Sequence, residues 1–140
     1  VAAGSLHLSW SADVDLDLHA WMTVAGGVRQ HVYFESLRGS LGRASVQLDR
    51  DVRSGGESET MSWRDADSVT LEFAVHAFSA GADIGAAKAL IEGTAGGLRW
   101  SLTPPIGQSG KWWRLLRVDR ATSSIQVWNT IVDDPTPGEP

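Results

Sequence analysis

The chain has 140 residues, a formal net charge of -5 at pH 7, no cysteine and seven tryptophans. That length suits one domain with a sizeable core, and the missing cysteines exclude disulfides, thiolate metal sites and cysteine nucleophiles. The mildly acidic balance, with Lys and Arg totalling 12 against 17 Asp and Glu, gives no footprint for nucleic acid or anionic lipid, and no run of ~18 apolar residues offers a membrane span.

Taken in chain order, the dominant signal is alternation with period two, the mark of strands with one face buried. "SLHLSW" sets Leu6, Leu8 and Trp10 on one side. "VDLDLHAW" sets Val14, Leu16 and Leu18 against Asp15, Asp17 and His19. "HVYFES" sets Val32 and Phe34 against His31, Tyr33 and Glu35, and "SVQLDRDV" places Val46 and Leu48 near Asp49 and Asp51. "SVTLEFAVHAF" sets Val69, Leu71, Phe73 and Val75 against Thr70, Glu72 and His76. "AKALIEG", "LRWSL", "WWRLLRVD" and "SIQVWNTI" continue in the same style. Breakers separate the runs at Gly26-Gly27, Gly39 to Gly42, Gly55-Gly56, Gly81, Gly96-Gly97, Pro104-Pro105 and Gly107 to Gly110. The one helix-like window, "ADIGAAKALIEG", carries two glycines, each costing about 1 kcal/mol in a helix interior, and reads better as an irregular turn leading into a strand. The expected fold is an all-β antiparallel sandwich of eight to ten short strands over residues 1–132, with 133–140 ("DDPTPGEP" and its flank) a disordered acidic, Pro-rich tail. Adjacent Trp112 and Trp113 must point to opposite faces of an extended strand, so only one of them belongs to the main core.

Acidic residues recur at alternate positions in three segments: Asp13, Asp15 and Asp17; Asp49 and Asp51; Glu57 and Glu59. Each segment lies beside a turn or a strand end. Hard divalent cations take such oxygen ligands, calcium using 6–8 of them at roughly 2.3–2.6 Å. The expected ligands are Asp15, Asp17, Asp49, Asp51, Glu57 and Glu59, with Asp13 and His19 in supporting positions. The competing expectation is a row of solvated surface acids paired with Arg38, Arg43, Arg50 or Arg53.

The ordered set "DVDLDLHAW", "VYF", "GRASVQLDRDVRSGGESETMSW" and "VTLEFAVHAFS" resembles the bacterial YfaP-like proteins. Asp15, Leu16, Asp17, Leu18 and His19 match that family's "DLDLHV" strand, and Leu48 to Asp51 its "LDxD" segment. Gly56, Glu57 and Glu59 fall at its "GPE" turn, without the Pro, and "KWWRLLRVDRATSSI" looks like its late strand. The same features are similar to the TerD tellurium-resistance family, whose acidic loop is longer than "DRDVRSGGESE" here. The resemblance implies a sandwich that binds rather than catalyses, on the TerD side a calcium-binding one, while the shorter, less acidic loop departs from TerD-type double calcium occupancy. No leader is legible in a chain that begins at Val1, so the compartment stays open, periplasmic, secreted or bacterial cytoplasmic.

Two further candidates stand beside the acids. His19 shares a face with Asp17 while His31 lies on a neighbouring run, a combination that suits a transition metal or, more often, plain hydrogen bonding. Trp21, Trp112 and Trp128 are candidates for exposed rings that stack on a ligand, with Trp10, Trp63, Trp100 and Trp113 in the core. No GxSxG elbow or phosphate loop is present, which argues against an enzyme. The expected function is therefore a non-catalytic divalent-cation module, calcium foremost, that orders a surface for a protein or envelope partner. The alternative is a carbohydrate- or protein-binding module working through exposed Trp.

Overall fold

The computed structural model describes residues 2–10, 15–24, 27, 29–33, 35–49, 58–77, 84, 87–119 and 124–133. They form eleven strands: β1 (Gly4–Ser9), β2 (Leu16–Thr23), β3 (Arg29–Val32), β4 (Arg38–Leu41), β5 (Ala44–Leu48), β6 (Ser58–Arg64), β7 (Thr70–Ala77), β8 (Leu90–Ala95), β9 (Leu98–Leu102), β10 (Trp112–Asp119) and β11 (Ser124–Val132). The one helical element described is a 3-10 turn at Ala66–Ser68. Every strand pairing is antiparallel. A six-stranded sheet runs β4-β5-β6-β1-β8-β9 and a five-stranded sheet runs β11-β10-β7-β2-β3. The expected antiparallel sandwich is what forms.

Alternation explains the packing. On β1, Leu6 and Leu8 are wholly buried; on β7, Leu71, Phe73, Val75 and Ala77 are. These residues meet Leu16, Leu18, Ala20 and Met22 of β2 in one core between the sheets. At roughly 1.5–3 kcal/mol for each fully buried large apolar side chain, this layer is the main driving force for folding. Trp113 joins it while its neighbour Trp112 does not, as extended geometry requires.

Two details depart from a plain reading of the pattern. The Gly39 to Gly42 segment, expected to be a breaker, carries most of β4, and the described residues form eleven strands, close to the about eight to ten expected. Gly39 is kept small because a Cβ there would press on Val32 Cγ2 at 2.8 Å, where β4 passes close to β3. The hairpin itself turns at Gly42, whose φ of 63° is open to glycine. The second departure is a β-bulge in β10. Arg114 faces Ala74 and Leu116 faces Phe73 of β7, so Leu115 has no residue opposite it on that strand; on the other side it is opposed by both Trp128 and Asn129 of β11. The extra residue resets the alternation, and Leu115 and Leu116 are therefore both buried. The "ADIGAAKALIEG" window does end in a strand, β8.

Candidate functional site

Strand β2 is buried on both faces, from Leu16 through Met22. Its Leu and Met side chains face the core. Its other face carries Asp17, His19 and Trp21, which are 2%, 5% and 1% exposed. The idea of a solvated row of acids thus fails at Asp17, and Trp21, expected to be an exposed ring, is buried. Only Trp112 and Trp128 of the three stacking candidates keep partial exposure.

The acidic segments approach one another at the start of β2. Strand β3 pairs with β2 only from Ala20 to Thr23, so Leu16 to Leu18 have an open edge on that side among the described residues. There Glu59, on β6 of the opposite sheet, accepts the backbone N–H of Leu18 through Oε1 at 2.9 Å. Glu59 alternates inward with Met61 and Trp63 and is 1% exposed. A backbone donor with no neighbouring strand needs an acceptor when buried, and this carboxylate provides it. Asp49 follows β5, is exposed, and its amide donates to the carbonyl of Thr60, the next residue after Glu59, at 2.7 Å. Asp15, half-buried, precedes the first residue of β2. Four of the six expected ligands therefore belong to segments tied together by direct hydrogen bonds. Asp51 and Glu57 lie outside the described residues, as does Asp13. Among the described residues, no group of three His, Asp or Glu side chains is arranged to hold a metal ion.

The outer face of the five-stranded sheet holds a second cluster. Strand register sets Trp112 beside His76 and His76 beside Asp17; it sets Trp21 beside His31. Ala74, opposite both His19 and Arg114, leaves space over β7 that larger neighbours fill. His19 and Trp112 meet there edge-on, 4.8 Å between ring centroids. Trp112 stacks on His76 at 4.3 Å, His31 on Tyr33 at 4.0 Å, and Trp21 on His31 at 4.8 Å. His19 Nδ1 and His31 Nε2 are 2.8 Å apart and share a hydrogen bond, so one nitrogen carries a proton and the other accepts it. Among the described residues, His19 Nε2 and Trp21 Nε1 are buried without a hydrogen-bond partner.

Electrostatics keeps this layer uncharged. Burial, then the nearby His31 and His76, lowers the His19 pKa to about 2. Burial and then Arg29 lower His31 to about 4, and burial and then Lys111 lower His76. All three rings are neutral at pH 7, the state in which imidazole stacks, hydrogen-bonds or ligates. At the margin, Arg114 lies over the Trp128 ring, 4.2 Å from its centroid, as a cation–π pair.

Comparison with family models, with curated proteins and with solved structures returns no match. What the molecule does must therefore be argued from its own residues. His19 and His31 were legible as neighbours in sequence. Tyr33 and His76 were visible only as outward positions of their strands; their meeting with Trp112 depends on the order β10-β7-β2-β3, which no local pattern encodes.

Proposed function

We propose that the protein is a non-catalytic β-sandwich module that binds a divalent cation, calcium, at the open edge of β2, and that the ion orders a neighbouring surface for a protein or envelope partner. Asp15, Asp17, Asp49 and Glu59 supply carboxylates from the described residues, and Asp51 and Glu57 complete the set. One observation carries the reading: the Glu59 carboxylate of one sheet sits on the Leu18 amide of the other, next to Asp17, while Asp49 is bonded to the residue after Glu59. These bonds tie the acid-bearing segments together through their backbones, with Asp17 turned to the outer face of β2 and Glu59 to its core side. Carboxylates drawn from these segments to one point would be electrostatically costly without a positive guest, and with one the binding energy becomes folding energy. The resemblance to the TerD-type sandwich supports the same ion.

The test is thermal melting of the whole chain with calcium or with a chelator. Calcium at 100 times its Kd adds about 2.7 kcal/mol to the native state and raises Tm by several degrees. The double variant Asp15→Asn with Asp49→Asn abolishes that rise. A melting point indifferent to calcium, or a double variant that responds like the parent, overturns the proposal.

A second reading has its own observation. Trp112 and Trp128 remain half-exposed beside an uncharged ring layer and a stacked Arg114, which suits recognition of a carbohydrate or protein across the outer face of the five-stranded sheet. Trp112→Ala with Trp128→Ala would remove that recognition while leaving the calcium response intact.

A further inference from the structure

The outer face of the six-stranded sheet is unlike the ring-covered face opposite. Register lines up Arg38, Gln47, Ser62, Ser5, Thr94 and Arg99 across all six strands. A parallel row sets Ser40, Ser45 and Arg64 side by side. Short hydroxyl side chains fill the middle of the face, and Ser5 Oγ and Thr94 Oγ1 lie 3.3 Å apart. Over β4, β5 and β6 this surface forms a half-open cavity of about 560 Å³, lined by Arg38, Arg64, Gln47, Ser40, Ser45 and Ser62, with Gln30 from β3. That volume falls within the range of small-molecule sites.

The chemistry of the lining is selective. Its only charged residues are two arginines, in a chain of net charge -5. Among the described residues neither Arg38 nor Arg64 forms an ion pair. Strand spacing of ~4.8 Å and a rise of ~3.4 Å per residue put their Cα atoms about 12 Å apart, a span that accommodates two separate acidic groups. Between them stand three serine hydroxyls and two glutamine amides, each of which both donates and accepts. Hydroxyl groups of a sugar do the same, and a guanidinium fork matches a carboxylate bidentately. We infer that this cavity binds an acidic oligosaccharide, a chain of polyhydroxylated rings bearing carboxylates. The site lies on β4–β6 and does not depend on a bound cation.

The experiment titrates the full chain with trigalacturonate, with uncharged galactotriose and with inorganic sulfate, following affinity calorimetrically and backbone amide shifts by NMR. The expected result is saturable binding of trigalacturonate alone, with shifts confined to Gln30 and residues 38–40, 45–47 and 62–64. Arg38→Ala and Arg64→Ala each weaken it about ten-fold or more. Arg64→Lys, which keeps the charge and loses the fork, falls between. Arg99→Ala, on the same face outside the cavity, leaves affinity unchanged. The proposal is overturned by absence of saturable binding, by galactotriose or sulfate matching trigalacturonate, or by Arg99→Ala weakening binding as much as the cavity variants. Repeating the titration with chelator separates this site from the calcium site: here affinity persists, whatever the fate of the calcium reading.

Discussion

Glu59 on the six-stranded sheet and Leu18 on the five-stranded sheet are joined by a single 2.9 Å hydrogen bond, carboxylate to backbone amide. It closes the sandwich where β3 no longer covers β2. The two roles of Glu59, acceptor and charge, come apart on mutation. Glu59→Gln keeps a side-chain oxygen for the amide, so its stability in chelator stays within about 1 kcal/mol of the parent. Its calcium response falls sharply. Glu59→Ala leaves the Leu18 amide unpaired and costs about 1–3 kcal/mol even in chelator. Urea unfolding in calcium and in chelator distinguishes the two.

The histidine layer makes stability depend on pH. The His19 pKa is lowered from 6.5 to about 2 on folding, so the unfolded chain takes up a proton that the native state refuses. The stabilisation is therefore complete above pH 6.5 and is lost as pH falls below it. His31, lowered to about 4, acts in the same direction. From His19 alone the loss between pH 7.5 and pH 5.5 is about 1.4 kcal/mol. Unfolding at a series of pH values measures the slope, and His19→Phe flattens it. A profile level from pH 7.5 to 5.5 in the parent contradicts the ring geometry.

Gly93 lies on β8 directly opposite Trp100 of β9. A Cβ at this position would run into the Trp100 ring. Gly93→Ala is expected to cost about 1–3 kcal/mol through overpacking. The combined change with Trp100→Leu, which vacates that space, recovers part of the loss. Denaturant midpoints of the single and double variants test the coupling.

Asn129 completes the β10–β11 bulge in two ways. Its φ is 48°, in the left-handed region, and its Oδ1 accepts the indole N–H of buried Trp113 at 2.7 Å. Asn129→Gly relieves the backbone and loses only the bond. Asn129→Ala loses both and should be the less stable variant by about 1 kcal/mol. Equal stability of the two would show that the backbone conformation carries no cost.

The sequence by itself determined the strand-rich class and, on most strands, which side chains face inward. Those properties follow from a two-residue period, a local signal written in the Leu, Val and Phe positions of β1, β2 and β7. It also showed that Trp112 and Trp113 part company. It read the glycines around β4 as a break, because close approach to Val32, the reason for Gly39, is a contact between strands of different sheets. Only the tertiary structure decided that the outer face of β2 is covered, since burial of Asp17, His19 and Trp21 comes from neighbours on β3, β7 and β10. It likewise decided that Leu115 breaks the alternation, that Glu59 turns inward to an amide of the other sheet, and that Arg38 and Arg64 share a cavity. Pairing across strands is non-local: the order in which they lie side by side is settled by packing of the whole core, and that order is what gathers side chains into sites.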